Sequence, residues 1–143
     1  MFRGVNQHVM DAKNRVILPQ KFRDELGKSF IITKGLDQCL YVYTMEQWEV
    51  YEAKAQGFSI ADDEAREFLR FFLGSATECE PDGQGRIIIP PELKEYAGLI
   101  KEVVSVGMPG RIEIWSAENW RAVNDPTAKV APHVKQKIAS LGF

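Results

Sequence analysis

Asp11-Ala-Lys-Asn-Arg15-Val-Ile-Leu-Pro19-Gln-Lys-Phe22-Arg23-Asp24-Glu-Leu-Gly27 returns 71 residues later as Asp82-Gly-Gln-Gly-Arg86-Ile-Ile-Ile-Pro90-Pro-Glu-Leu93-Lys94-Glu95-Tyr-Ala-Gly98. Asp, Arg, Pro and Gly stand in register in both copies. Working outward, Gly35-Leu36 and Leu40-Tyr-Val42-Tyr43-Thr44-Met-Glu46-Gln47-Trp48 are matched by Gly107-Met108 and Ile112-Glu-Ile114-Trp115-Ser116-Ala-Glu118-Asn119-Trp120. This second match has an offset of 72, so one residue is inserted between the two stretches. Upstream, Phe2-Arg3-Gly4 is echoed more weakly by Phe72-Leu73-Gly74. Self-similarity at a fixed spacing marks a duplicated structural unit.

The local signals agree between the copies. Gln7–Met10 suits a strand, and Asp11–Asn14 has turn chemistry, with Asn14 at a position that tolerates positive φ. Copy two has Gly83 and Gly85 there, which take positive φ without strain. Arg15–Leu18 and Arg86–Ile89 are short β-branched runs and read as strands. Pro19 and Pro90 suit the first turn of a helix, which Gly27 and Gly98 would close. Phe30–Thr33 and Val103–Val106 predict a third strand. In the fourth, Leu40 and Val42 face one side and Tyr41 and Tyr43 the other. Thr44 and Ser116 are placed to cap the helices that follow.

Each copy therefore reads β-turn-β-α-β-turn-β. A unit of ~43 residues is too short to bury a self-sufficient core, so residues 5–47 and 76–119 must share one. The expected fold is mixed α+β, mainly β: a small pseudo-twofold barrel of interleaved hairpins. Helices occupy the connector 48–75 and the tail 120–143. In the connector, Ala61, Ala65, Phe68, Leu69 and Phe72 form an apolar stripe that packs on the barrel or serves assembly. In the tail, Pro132 opens a short helix with Val134, Ile138 and Leu141 on one side.

The 143-residue chain is 45% apolar and 27% charged, an ordinary globular composition. No apolar run reaches the roughly 18 residues of a membrane span, and residues 1–8 lack the apolar core of a signal peptide. Two distant cysteines, Cys39 and Cys79, imply neither a disulfide framework nor a zinc site. A cytoplasmic setting is the expectation. Net charge is −2, but it is unevenly spread. Residues 1–35 carry seven bases against three acids, 36–85 three against eleven, and 86–143 eight against six. A near-neutral total can thus hide a basic face backed by an acidic one, which permits a polyanionic partner without requiring one.

His8 and His133 lie in unlike contexts, and no metal-ligand or nucleophile spacing is present. Neither an enzyme nor a cofactor is called for. The polar feature common to both copies is Asp-x-x-x-Arg at a hairpin tip. An exposed Asp–Arg pair that merely stiffens the turn contributes only about 0–1 kcal/mol. The alternative is that Asp11 and Asp82, with Asn14 and Gly85, brace the turns so that Arg15 and Arg86 present guanidinium forks. Such forks fit guanine O6/N7 or phosphate. Lys13 would add a phosphate contact, and Gln84 replaces it in copy two.

The doubled Asp-Ala-Lys-Asn-Arg and Asp-Gly-Gln-Gly-Arg hairpins, each followed by strand, Pro and helix, resemble the SpoVT-AbrB swapped-hairpin fold. The tandem arrangement, the start Met1-Phe2-Arg3-Gly4, the run Arg70-Phe-Phe-Leu-Gly-Ser-Ala-Thr-Glu-Cys-Glu80 and Gly35-Leu-Asp-Gln-Cys-Leu40 are similar to the MraZ family over essentially the whole chain. Asn14 departs from the family's usual Gly but accepts the same turn.

The resemblance implies a nucleoid-associated DNA-binding transcriptional regulator, a repressor of its own division and cell-wall gene cluster. It also implies a ring-like homo-oligomer bound to short direct repeats of double-stranded promoter DNA. DNA contacts carried over are Lys13, Arg15 and Arg86, with Arg3 and Gln84 as weaker candidates. The rival is a ring-forming scaffold whose arginines meet acidic partners and which reads no sequence.

Overall fold

The computed structural model describes residues Met1–Phe143. The first repeat forms β1 (Val5–Val9), β2 (Arg15–Ile17), α1 (Gln20–Leu26), β3 (Phe30–Lys34) and β4 (Leu40–Thr44). Next come α2 (Met45–Ala55) and α3 (Asp63–Phe72). The second repeat supplies β5 (Thr77–Cys79), β6 (Arg86–Ile88), α4 (Pro91–Ala97), β7 (Glu102–Met108) and β8 (Arg111–Ser116), before α5 (Ala117–Val123) and α6 (Pro132–Ser140).

Six strands make one antiparallel sheet in the order β1-β7-β8-β4-β3-β5, and β2 pairs with β6 in a separate two-stranded ribbon. The repeats exchange strands: β1 pairs with β7 of the second repeat, and β5 with β3 of the first. In the ribbon Val16 faces Ile87, its own counterpart at the offset of 71. At the centre of the large sheet Tyr41 faces Glu113, its counterpart at 72. Equivalent residues paired across antiparallel strands define a twofold relation, so one pseudo-twofold axis passes through both pairs.

A closed barrel, expected from the repeats, is not formed. The large sheet is open, with β1 and β5 at its edges. Each hairpin splits after its turn. Met10 N–H already bonds to Lys101 C=O at 2.7 Å, which commits β1 towards the second repeat, while β2 turns away to β6. The ribbon strands are three residues each and run into Pro19 and Pro90, whose nitrogens have no proton to extend a ladder.

The main core lies between the large sheet on one side and the ribbon, α1 and α4 on the other. Matched residues from both repeats meet there: Val16 and Ile87, Leu18 and Ile89, Phe22 and Leu93, Leu26 and Ala97. Full burial of a large side chain such as Phe22 contributes about 1.5–3 kcal/mol. Each repeat supplies half of these matched side chains, so neither encloses the core by itself.

Leu40 and Val42 face this core, while Tyr41 and Tyr43 join Trp48, Phe72 and Trp115 in a second, aromatic cluster on the opposite face. The alternation expected for the fourth strand is therefore present. The connector stripe packs in part on this face, with Phe72 buried and Phe68 stacked on it at 5.2 Å. Ala61 falls outside it, because α3 starts at Asp63 behind an Asp62 cap that accepts from the Ala65 N–H at 3.1 Å. Thr44 and Ser116 cap α2 and α5, accepting from Gln47 and Asn119 N–H groups. Pro19 and Pro90 stand at the N-cap rather than inside the first turn, and it is Pro91 that occupies the first helical position. No helix is long and apolar enough to cross a membrane.

Candidate nucleic-acid interface

Both Asp-to-Arg turns fold to the same design. Asp11 N–H donates to Arg15 C=O at 3.0 Å, and Asn14 N–H returns to Asp11 C=O at 3.0 Å. The corresponding bonds at Asp82, Arg86 and Gly85 are both 2.9 Å. The chain can reverse this tightly because Asn14 and Gly85 adopt φ of +60° and +78°. Each carboxylate then serves as a three-point brace. Asp11 Oδ1 accepts from the N–H groups of Lys13 and Arg15 at 2.9 Å each, and Oδ2 accepts from Arg15 Nε at 2.7 Å. Asp82 repeats this with Gln84 N–H and Arg86 N–H at 2.9 Å and Arg86 Nε at 2.6 Å.

These donors hold both carboxyls below the usual carboxylate range. At Asp11 desolvation pushes upward, but the Arg15 N–H, the Arg15 side chain and the Lys13 N–H outweigh it. At Asp82 the Arg86 N–H is the leading cause, working against desolvation. The ion pairs are part-exposed, with the Arg15 and Arg86 side chains 22% and 28% accessible. The braces take up Nε, so the outer edge of each guanidinium stays directed away from its Asp.

Strand alternation sets the direction of these forks. Val16 and Ile87 point into the core, so Arg15, Ile17, Arg86 and Ile88 share the outward face of the ribbon. Arg15 opposes Ile88 and Arg86 opposes Ile17, which makes the two arginines diagonal neighbours across the twofold, a spacing within reach of long side chains. Both line the two shallow depressions that flank the ribbon. Lys13 and Gln84 are exposed at the two turn tips.

Arg3 is not brought to this cluster. It stands at the far end of β1, its backbone packed on Gly107, five strand residues away from the first turn. His8 lies beside Arg15 and bonds through Nε2 to Ser105 Oγ at 2.6 Å. Burial is the larger influence on it and lowers its pKa against a backbone bond at Ile17, so it adds no charge near neutrality. Burial pushes the Cys79 thiol up to about 11 and that of Cys39, also facing Glu113, up to about 12, which makes both poor nucleophiles.

Two cations escaped the sequence reading. Lys94 Nζ of α4 donates to Asn14 Oδ1 at 2.9 Å, reaching from the second repeat to the turn of the first. Arg23 of α1 holds Leu18 C=O through Nε at 2.9 Å and lies over Gly85, filling the space that a Cβ there would need. Both are basic at an offset of 71, and that shared position is the signal in the sequence that points to them.

The model of a family described as "MraZ protein, putative antitoxin-like" matches residues 1–71 and again 72–135. A protein of Clostridium tetani named transcriptional regulator MraZ is 47% identical to the chain, and one of Caldicellulosiruptor bescii with the same name is 49% identical. A third, of Clostridium beijerinckii, is 50% identical. Each match covers 143 residues, 100% of this chain and of the relative. With its repeated unit matched twice and its full length shared with these proteins, the chain belongs to the MraZ family.

Proposed function

We propose that the protein is a sequence-specific double-stranded DNA-binding transcriptional regulator, a repressor of its own division and cell-wall gene cluster that occupies direct repeats at the promoter. The observation that carries this reading is the common outward face of Arg15 and Arg86, each braced by its own aspartate. A two-stranded ribbon fits the major groove, where an arginine fork reads guanine O6 and N7. The braces keep the forks ordered before binding, so less conformational entropy is lost on contact. Arg15 and Arg86 read bases, Lys13 contacts phosphate, and Gln84 supplies a weaker polar contact at the opposite tip. Arg3 is too far along β1 to share that groove and would touch DNA only through a neighbouring subunit.

The relatives' shared name, transcriptional regulator, supports the regulatory part of this reading. Repeats 5–47 and 76–119 act as two halves of one reading head, each giving one strand of the ribbon. One head makes few cationic contacts. A ring-like homo-oligomer on adjacent repeats gains from tethering, which raises binding by ~10²–10⁴-fold without any new kind of contact. The protein works in the cytoplasm on the nucleoid and needs no cofactor.

A gel-shift titration with the protein's own upstream DNA and a scrambled duplex of equal length, at one salt concentration, tests the proposal. Tighter binding of the native sequence is expected. Equal affinity for the two duplexes would leave only a non-reading scaffold.

A further inference from the structure

The outward face of the ribbon carries Arg15 and Ile17 from β2 and Arg86 and Ile88 from β6. Each arginine is held by its own aspartate. The isoleucines have no such partner. Ile17 and Ile88 stay 46% and 63% exposed, and neither joins either of the two apolar clusters.

A single exposed isoleucine on a strand calls for no explanation, because a branched side chain suits the strand backbone. Two features set this pair apart. First, Ile17 and Ile88 are counterparts at the offset of 71, so both repeats keep an aliphatic side chain here, whereas the turn tips differ as Lys13 and Gln84. Threonine would serve as well on a strand that meets only water. Second, the register sets each isoleucine beside the fork of the other strand: Ile17 opposes Arg86, and Ile88 opposes Arg15. Ile17 shares one depression with both arginines, and Ile88 shares the other with them.

In the major groove of a duplex the base edges present hydrogen-bond donors and acceptors and one aliphatic group, the thymine C5 methyl. A side chain of carbon and hydrogen held beside a guanine-reading fork finds its complement in that methyl. We propose that Ile17 and Ile88 select thymine, each packing on the C5 methyl of a thymine next to the guanine held by the opposing arginine. Opposing residues are the closest neighbours across an antiparallel pair, so fork and aliphatic group reach the same or adjoining base pairs. The inference rests on the DNA reading above and adds the base that the apolar side chains choose.

The two contacts are unequal. Val9, 63% exposed, lines the depression beside Ile17 and extends its apolar surface. Its counterpart at the offset of 71 is Glu80, which with Glu78 lines the depression beside Ile88. A methyl at Ile17 is therefore buried among more carbon, and its thymine counts for more.

Deoxyuridine tests this, because it lacks the thymine methyl and keeps the same hydrogen-bonding edge. Thymines in the protein's own upstream DNA are replaced by uracil one at a time and all together, and affinity is read by gel shift at one salt concentration. Two thymines should respond, the stronger by about fourfold, the change that one buried methyl brings. Ile17→Ala should abolish the stronger response and leave the weaker; Ile88→Ala should do the reverse. The thymine-to-uracil ratio is taken within one protein preparation, so a reduced folded fraction cancels from it, and the thermal midpoint follows the fold. Equal wild-type affinity for the thymine duplex and the fully substituted one overturns the proposal and leaves the arginine reading in place. So does either alanine variant that keeps both wild-type responses. A wild-type protein that does not prefer its own thymine duplex to a scrambled one overturns the DNA reading, and this inference with it.

Discussion

At the first turn Asn14 accepts the Lys94 ammonium on its side-chain oxygen; at the second, Gly85 is buried under the Arg23 guanidinium. The backbone bend is the same and both positions have positive φ. What differs is the cation that arrives from the opposite repeat. A compact ammonium can be met by an amide, whereas a planar fork lying flat needs an empty space. The residue at the bend is therefore chosen by its neighbour across the twofold, not only by the turn.

The largest effects should come from what the two turns share. Arg15→Ala and Arg86→Ala are each expected to lose about 1–3 kcal/mol of promoter affinity with the fold intact. Parallel gel shifts and melting curves check this; wild-type affinity in either variant breaks the equivalence of the two forks. Lysine at either position should recover only part of the loss, since it cannot bond to Asp and offer a planar edge together.

Exchange at the bend separates the two turns. Gly85→Ala forces a non-glycine residue into positive φ and displaces Arg23, so it should cost about 1–2 kcal/mol in denaturant unfolding. Asn14→Gly keeps the bend and gives up the Lys94 bond, a loss of about 1 kcal/mol or less. Similar costs at the two positions would mean that the overlying cations do not distinguish them.

Acid sharpens the comparison further. Asp11 and Asp82 both have folded pKa values below the unfolded value, so their contribution to stability is complete above about pH 4 and disappears as pH falls through the folded values. Asp82→Asn and Asp11→Asn should each flatten the fall in stability below pH 4, as followed by unfolding at stepped pH. The smallest effect concerns the tips. Lys13→Gln should reduce the slope of log affinity against log salt by about one unit, and Gln84→Lys should steepen it by a similar amount.

Much of this was legible in the chain. The Asp-x-x-x-Arg repeat announces the two turns and the β-branched runs after it, but Val16–Leu18 and Ile87–Ile89 are apolar throughout, so it is the burial of Val16 and Ile87 in the structure that shows Arg15 and Arg86 on the outward face. Leu40, Tyr41, Val42 and Tyr43 likewise carried their two faces in their order. Strand partners were not legible. The bond from Met10 to Lys101 spans most of the chain, and no local pattern says that β1 leaves its own hairpin for β7. β5 leaves its hairpin for β3 in the same way, and these two strands form the edges of the open sheet. Pro19 reads one residue too far into its helix, because a helix start shifts by one residue without changing the apolar pattern. Nothing local in the sequence marks Lys94 or Arg23 as more than a helix residue, since the turns they meet lie in the other repeat.

Fusing the repeats into one polypeptide has a consequence for orientation. Two identical halves around a true twofold present the same pattern whichever way they are turned. Here one tip of the ribbon ends in Lys13 and the other in Gln84, with Asn14 and Gly85 behind them. The molecule has a front and a back, and any partner that touches both tips can be approached in a preferred sense, as an arrow rather than a palindrome.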